Sequence, residues 1–319
     1  MSMYNYVIRR VGFMAVTLFF VTVIAFGVTN VLPGNVALLI LGPNATPESV
    51  AALKAQMGLD QPLYLQYVDW VVGLLQGNMG TSLRFDAPVA QLIAEKLPRS
   101  LLLAFAATLI AVVLSIPLGV YSAVRQNEPP DVAASLFAFV GISMPIFLWG
   151  LVFILVFAVW LDLFPTGSYV SPTADPIGAL THLVLPASAM GFALTAYIMR
   201  MTRSSMLEVL SEEYVKLARA KGMTQRVIVL RHALKNAIIP VITVVAFQFS
   251  YAFGGVVVLE EVFFWPGIGR LTLTAIQSRD IPLIQGCIIV VAVIYMLSNF
   301  TADLLYAYFD PRIRYGGDD

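Results

Sequence analysis

Residues 100–124 read SLLLAFAATLIAVVLSIPLGVYSAV, a run without one charged side chain. A bilayer core is about 30 Å thick, so a helix rising about 1.5 Å per residue needs about 20 apolar residues to cross it. This run is long enough to form a transmembrane helix. It decides the fold, because similar runs recur on both sides of it.

The whole chain is as apolar as this run suggests. Its 319 residues are 59% hydrophobic and 12% charged, whereas an average soluble domain has about 25% charged residues. Helices are the expected elements, because an open strand edge in lipid leaves backbone groups unpaired. The sequence predicts an all-α integral membrane protein with six transmembrane helices, the third kinked at Pro145. They lie near Val11–Leu32, Ser100–Val124, Val132–Leu161, Leu183–Met199, Ala237–Leu259 and Pro282–Ala302.

Lysine and arginine are unevenly placed around these runs. Of the 19 basic residues, thirteen fall on the side of the N-terminus and six on the other side. Cytoplasmic loops carry the excess of positive charge. We therefore expect a multi-pass protein with both termini in the cytoplasm.

The first external segment, Pro33–Arg99, is too long for a simple connection. Thr46-Pro47-Glu48 predicts a helix start and Gly58 its end. The apolar, Tyr- and Trp-containing stretch Pro62–Gln76 predicts a helix in the membrane interface. A third helix is expected to start at Asp86–Pro88 and to end near Leu97–Pro98. These helices would form a small folded cap.

A polar, basic segment, residues 204–240, lies between the fourth run and the fifth. Ser211 can cap a helix that has acids in its first turn and bases in its last turn, as the helix dipole favours. Gly222 predicts a left-handed stop. Thr224 is expected to cap a second helix that runs to Lys235.

The exposed faces of this segment favour a protein partner. Tyr214, Leu217 and Ala218 share a helix face, and the small residues Ala218, Ala220 and Gly222 would allow close backbone approach. The alternative is a basic loop that orients the protein and touches anionic lipid head groups. Two capped helices with a glycine between them are more than orientation requires.

Four groups of residues in this segment carry a family resemblance: Glu212-Glu213-Tyr214, Ala218-Arg219-Ala220-Lys221-Gly222, His232 and Asn236-Ala237-Ile238-Ile239-Pro240. They resemble the cytoplasmic coupling loop of the membrane subunits of bacterial ABC importers, above all in the peptide-transporting branch, and we therefore call residues 204–240 the coupling segment.

Four more motifs extend the resemblance over nearly the whole chain. They are Leu32-Pro33-Gly34, followed by Asn35 where the family usually has Asp; Gly58-Leu59-Asp60-Gln61-Pro62; Glu261-Val262-Phe263 with Trp265-Pro266-Gly267-Ile268-Gly269 and Asp280-Ile281-Pro282; and Asp310-Pro311-Arg312-Ile313-Arg314-Tyr315.

The coupling segment departs from the general family pattern at two places. Lys216-Leu217-Ala218 stands where the pattern has Glu-Ala-Ala, and Lys235 stands at the position of its proline. Whether Glu213 makes the contact of the family's glutamate is left open.

The resemblance implies a fold like that of type I ABC importer permeases, with a helical periplasmic cap and cytoplasmic coupling helices. It implies an inner-membrane permease subunit that translocates dipeptides, oligopeptides or glutathione-like peptides delivered by a periplasmic binding protein. The same machinery carrying nickel complexes or sugars is the alternative.

The implied partners are a second homologous permease subunit, two cytoplasmic ATPase subunits, the binding protein and membrane lipid, and not nucleic acid. The sequence has no Gly-x-x-x-x-Gly-Lys-Ser/Thr motif, so the chain is expected not to be an ATPase. ATP and Mg²⁺ would be bound by the partner ATPase subunits. No cofactor or metal site is expected in this chain.

The predicted site residues fall into three groups. Coupling to the ATPase is assigned to Glu213, Tyr214, Ala218, Arg219, Ala220, Lys221, Gly222, His232, Asn236 and Pro240. The translocation path is assigned to Gln248, Ser250, Tyr251 and Asn299, for which interhelical hydrogen bonds are the structural alternative. The binding-protein face is assigned to Glu261, Phe263, Trp265, Pro266, Gly267 and Asp280.

The predicted domains follow these functions. Residues 1–99 hold the first transmembrane helix and the cap, residues 100–310 form a five-helix core that includes the coupling segment, and residues 311–319 form a cytoplasmic tail.

Two other classes of membrane protein fit the sequence less well. An ion-coupled secondary transporter needs carboxylates near the midplane, and Asp303, the one candidate, lies near the inner end of its run. An intramembrane enzyme needs paired catalytic groups, but His182 and His232 lie outside the apolar runs.

Overall fold

The structure is a computed structural model of the chain, and it describes residues 3–31, 41, 45–56 and 60–309. The elements run, in chain order, α1 Met3–Val31, α2 Pro47–Gln56, α3 Leu63–Leu75, β1 Thr81–Ser82, β2 Ala87–Pro88, α4 Val89–Val124, α5 Pro129–Ser143, α6 Ile146–Phe153, α7 Pro176–Ser211, α8 Glu213–Ala220, α9 Gln225–Val227, α10 Leu234–Val262, α11 Ile268–Ser278 and α12 Ile281–Phe309. Two π-helical stretches, Ile154–Trp160 and Ile228–Ala233, follow α6 and α9.

The helical membrane fold is confirmed. Five helical segments of the described chain are long and apolar enough to cross a membrane, and α5 with the extended α6 makes a sixth span when the bent pair is counted as one. The β1–β2 ladder is antiparallel and only two residues long on each strand.

Pro145 produces a break rather than a mild kink. The two halves of the third span meet at 106°, and Met144 between them is extended, with φ −121° and ψ 146°. Proline disfavours the helical conformation of the residue before it, which accounts for the extended residue at this point. Trp149 Nε1 donates to the carbonyl of Gly141 at 3.2 Å and ties the two halves together.

The cap helices form largely where expected. Thr46 precedes α2, and its hydroxyl accepts a hydrogen bond from the Ser49 N–H at 3.2 Å. The stretch predicted to lie in the membrane interface forms α3, and its position relative to a membrane stays a prediction. Gly58, Leu59 and the motifs at 32–35 and 310–315 lie outside the described residues.

The expected end of a helix at Leu97–Pro98 was wrong. One helix, α4, runs from Val89 to Val124 through Pro98. Proline inside a helix costs about 3 kcal/mol or more, but the turns before it are anchored because Val89 and Ile93 are buried. This packing outweighs the local stop signal.

The described residues cluster in two compact units. The first unit contains Arg99–Pro266 with residues 3–10 and 295–309, and the second contains Val11–Pro98 and Gly267–Ile294. The predicted domain division at residues 99 and 310 follows function instead and stays a prediction.

Each unit has its own core. In the second unit, α4, α11 and α12 contribute a buried apolar cluster: Val89, Ile93, Ile268, Leu271, Ala275, Leu283, Ile284 and Cys287. In the first unit, α4 and α7 approach closely at Gly119, where an added Cβ would lie 2.7 Å from Thr202 Cβ and 2.8 Å from the Met199 carbonyl oxygen.

Candidate functional site

The coupling segment folds as two helical pieces joined at a glycine. Helix α8 has Glu213 in its first turn and Arg219 in its last turn, which suits the helix dipole. Gly222 has φ +77°, so the predicted left-handed stop is confirmed. The chain then turns back into α9.

Three details of the segment differ from prediction. Ser211 ends α7 instead of capping α8, since its hydroxyl donates to the Glu208 carbonyl, and Glu212 takes the cap position. Thr224 stands at the start of α9 but makes no side-chain capping bond. The second helix does not end at Lys235, because the helical run continues from Gln225 to Val262.

The segment has a small core of its own. Val215 and Ala218, three residues apart on α8, are buried against Ile228, with Val209 and Leu210 beside them. The spacing of Val215 and Ala218 was visible in the sequence. The predicted shared face was misassigned, because Ala218 points inward while Tyr214 and Leu217 are 41% and 56% exposed.

Tyr214 links α8 to the start of the fifth span. Asn236 Nδ2 donates to the Tyr214 hydroxyl at 2.7 Å, and that hydroxyl lies 3.4 Å from the His232 carbonyl oxygen, to which it donates. His232 belongs to the π-helical stretch, and its Nε2 is buried without a partner among the described residues. The structure thus brings together three predicted coupling residues that are far apart in sequence.

The outward face of the segment combines charge with apolar surface. Among the coupling residues named from sequence, those with exposed side chains or backbone are Glu213, Tyr214, Arg219, Ala220, Lys221, Gly222 and Asn236. His232 and Pro240 are partly buried. The exposed large apolar side chains of the segment are Tyr214, Leu217, Met223, Val227 and Leu230, of which Leu230 lines a groove beside α4. An apolar face rimmed by charge is typical of a surface that contacts another protein.

The residues assigned to the binding-protein face divide into exposed and buried groups. Glu261 is exposed and Pro266 is partly buried, whereas the side chains of Phe263 and Trp265 are each only 1% exposed. Gly267 is buried as well.

Trp265 holds the chain after α10 in place. Its Nε1 donates to the Arg99 carbonyl at 3.1 Å. The Arg99 guanidinium lies 4.8 Å from the centre of the Tyr169 ring. Nearby, the Ser100 hydroxyl donates to the buried Glu260 carboxylate. Glu260 was not singled out by the sequence, although its neighbour Glu261 was.

Asp280 holds a turn in the second unit. Its buried carboxylate accepts hydrogen bonds from the Ser82 hydroxyl and from the backbone N–H groups of Arg84 and Leu283. These contacts fix the start of α12.

The path residues lie along α10 and α12. Gln248 lines a cavity in the first unit, and its Oε1 is buried without a partner among the described residues. Ser250 is buried and donates to the Ala246 carbonyl at 3.3 Å. Tyr251 is 59% exposed and lines a second, smaller cavity beside the break at Pro145. Asn299 is partly buried on α12.

Two ion pairs join helices of the first unit. Arg203 on α7 donates to both carboxylate oxygens of Asp131 on α5, at 2.6 and 2.8 Å. Asp131 also accepts from the Ser122 hydroxyl and from the Asn127 N–H. Sequence reasoning missed this network, because Arg203 lies 72 residues from Asp131 in the chain.

The second ion pair joins the first helix to the last. Arg10 Nη2 lies 2.8 Å from Asp303 Oδ1. The carboxylate considered as an ion site therefore has a protein cation as its partner.

Two families of known proteins together match nearly the whole length of the chain. Residues 115–315 match the family described as binding-protein-dependent transport system inner membrane component, and residues 3–104 match the N-terminal family of the same membrane component.

Named relatives cover the chain almost completely. It is 40% identical to the dipeptide transport system permease protein DppB of Alkalihalophilus pseudofirmus, covering 98% of this chain and all of that protein. It is equally similar, with the same coverage, to the glutathione transport system permease protein GsiC of Escherichia coli K12.

A solved structure shares the fold. The inward-facing MetNI methionine ABC transporter aligns with a TM-score of 0.56 and 15% identity, covering 69% of this chain and 97% of the other. The chain therefore belongs to the inner-membrane permease components of binding-protein-dependent ABC transport systems.

Proposed function

We propose that this permease carries dipeptides, oligopeptides or glutathione-like peptides, driven by ATP hydrolysis in partner subunits. The observation that carries the proposal is 40% identity over essentially the full length to relatives named for dipeptide and for glutathione transport. Nickel complexes and sugars are the alternative cargoes.

The coupling segment would receive the ATPase. Its exposed apolar side chains stand on a frame held by the Val215–Ala218–Ile228 core and by the Tyr214–Asn236 hydrogen bond. Since α9 continues into the fifth span, pressure on this frame would act directly on that span. In this way a partner that binds at the coupling segment would shift the membrane helices between two conformations.

The assembly would contain two ATPase subunits, which bind ATP and Mg²⁺, a second homologous permease subunit and a binding protein outside. Thirteen of the 19 basic residues support cytoplasmic termini and a cytoplasmic coupling segment. On the outer side, exposed Glu261 would meet the binding protein directly. Phe263, Trp265 and Asp280 are buried, so they would shape that surface from within.

The test is uptake of labelled peptide into proteoliposomes that contain the complete transporter. We expect accumulation that requires ATP and the binding protein. Uptake driven by a proton or sodium gradient without ATP would favour an ion-coupled transporter instead. Uptake of nickel complexes or sugars, with no uptake of peptide, would contradict the proposed cargo.

A further inference from the structure

A cavity of about 830 Å³ opens between α5, α7 and α10 of the first unit. This volume is within the roughly 300–1,000 Å³ that small-molecule sites occupy. The cavity is lined by Ser135, Phe139, Tyr197, Met199, Arg200, Met201, Arg203, Ser204, Val244 and Gln248.

Two arginines line the cavity, and only one of them is paired with a carboxylate. Arg203 is neutralised by its two hydrogen bonds to Asp131. Arg200, one turn earlier on α7, has no carboxylate within ion-pair distance among the described residues, and its guanidinium lies 5.8 Å from the centre of the Phe139 ring. The lining contains no acidic residue. The cavity is thus lined by one exposed arginine that no carboxylate of the described residues neutralises.

Gln248 adds an unused polar group to the same cavity. Its Oε1 is buried and accepts no hydrogen bond from the described residues. A buried polar atom left unpaired destabilises the protein, because it has given up its hydrogen bonds to water. A ligand that supplied a hydrogen-bond donor at this point would remove that cost.

We propose that Arg200 and Gln248 bind the C-terminal residue of a peptide in transit. The Arg200 guanidinium takes the terminal carboxylate, for which its fork of N–H donors is suited. The Gln248 amide accepts from the last peptide N–H. This assignment rests on the proposed peptide import and adds the group by which the permease itself holds its cargo.

The same oxyanion chemistry has a second source in a membrane, the phosphate of an anionic lipid. The phosphodiester group itself has no hydrogen-bond donor to offer Gln248, whereas the C-terminal residue of a peptide presents a carboxylate and an N–H within one residue. The hydroxyl groups of a glycerol head group can also donate to an amide oxygen, so the experiment tests phosphatidylglycerol directly beside the peptide.

The experiment measures how fast a cysteine in the cavity is modified. Ser204 lines the cavity and is exposed, so Ser204→Cys reports its occupancy, while Cys287 is buried and the parent chain gives the background rate. The complete nucleotide-free transporter is placed in phosphatidylcholine nanodiscs, which leave both faces open. The modification rate with a maleimide is measured with millimolar trialanine, with trialanine amide and with added phosphatidylglycerol.

We expect trialanine to slow the modification and its amide to have little effect. Loss of a charge-assisted hydrogen bond weakens binding roughly tenfold or more, so Arg200→Gln should abolish the protection and Arg200→Lys should keep part of it. The carboxylate–amide comparison needs only the intact Arg200, and it decides the question even if the Arg200 variants fail to assemble.

Three results would overturn the assignment. These are equal protection by the amide, no protection by either peptide, and protection by phosphatidylglycerol alone. None of them depends on ATP or on the binding protein, so a failure here is distinct from a failure of ATP-driven uptake.

Discussion

At the scale of single residues, Tyr214 is the polar link between the coupling segment and the fifth span. Tyr214→Phe keeps the ring and removes the hydroxyl that joins Asn236 and the His232 carbonyl. The group is exposed, so we expect little change in thermal stability. A net hydrogen bond is worth about 1 kcal/mol, and we expect peptide uptake per ATP hydrolysed to fall by roughly a factor of five.

The control for this variant is Tyr64→Phe. Tyr64 is a 68% exposed tyrosine of α3 and belongs to the second unit. Peptide uptake per ATP hydrolysed by the Tyr64→Phe transporter should match that of the wild type. Unchanged uptake in both variants would show that the Tyr214 hydroxyl has no part in coupling.

Gly119 is a residue whose size matters because of the close approach of α4 and α7. In Gly119→Ala the new methyl group would meet the Met199 carbonyl at 2.8 Å, and backbone cannot move aside as a flexible side chain can. Overpacking of this kind costs about 1–3 kcal/mol. We expect a lower melting temperature in detergent.

Gly254→Ala is the matched control for Gly119→Ala. Gly254 is also a helical glycine, on α10, but an added Cβ there meets nothing within 4 Å. Removing a helical glycine gains roughly 0.5–1 kcal/mol, so this variant should melt at or above the wild-type temperature. Equal destabilisation of both variants would contradict the packing argument.

At the scale of elements, the Asp131–Arg203 pair fixes the start of α5 against α7. Asp131→Asn would leave Arg203 without its charge partner at a position where the carboxylate side chain is only 5% exposed. Breaking a buried pair from one side costs about 3–5 kcal/mol. Arg203 is 26% exposed and partly solvated, so we expect the lower end of that range, measured by thermal unfolding.

Glu128→Gln provides the comparison for this ion pair. It removes the partner of Arg125 in a pair in which both side chains are about half exposed. Such surface pairs contribute about 0–1 kcal/mol. A Glu128→Gln variant as unstable as Asp131→Asn would mean that burial does not decide the energy of these pairs.

The helices themselves could be predicted from hydropathy, because a span about 20 residues long leaves a plain signal in the sequence. Their ends could not. Pro98 lies inside a helix that is held by buried Val89 and Ile93, and Lys235 lies in a helical run that continues into the membrane. In both places tertiary packing or helix continuation overrides a local stop signal.

The candidate site could be predicted only in part, because a motif names residues but does not show their contacts. The motif named Tyr214, His232 and Asn236, but only the fold shows that they touch. Val215 and Asp131 were missed, since a buried residue and a distant ion pair have no motif of their own. Arg200 counted only as one of the thirteen basic residues on the side of the N-terminus, and that no carboxylate of the described residues pairs with it is visible only in three dimensions.

At the scale of the whole molecule, the fold explains how a chain without an ATP-binding motif can be driven by ATP. The Tyr214–Asn236 hydrogen bond links α8 to the fifth span, and α8 follows directly on α7, the fourth span. The Asp131–Arg203 pair joins α7 in turn to α5 of the third span. A partner that moves α8 would therefore act on these spans together. The central claim is that this partner is an ATPase bound at the exposed face of α8.

Cross-linking from Leu217 tests that claim most directly. Leu217→Cys places a thiol on the exposed face of α8, and Leu75→Cys places one at the end of α3, where the side chain is 84% exposed. Each variant is treated in native membranes with a short cross-linker that carries a maleimide at one end and a photoreactive group at the other. We predict that Leu217→Cys gives a covalent product with an ATPase subunit, that its yield changes on addition of ATP, and that Leu75→Cys gives none. Cross-links from Leu217→Cys to lipid alone, or equal ATPase products from both positions, would contradict the claim.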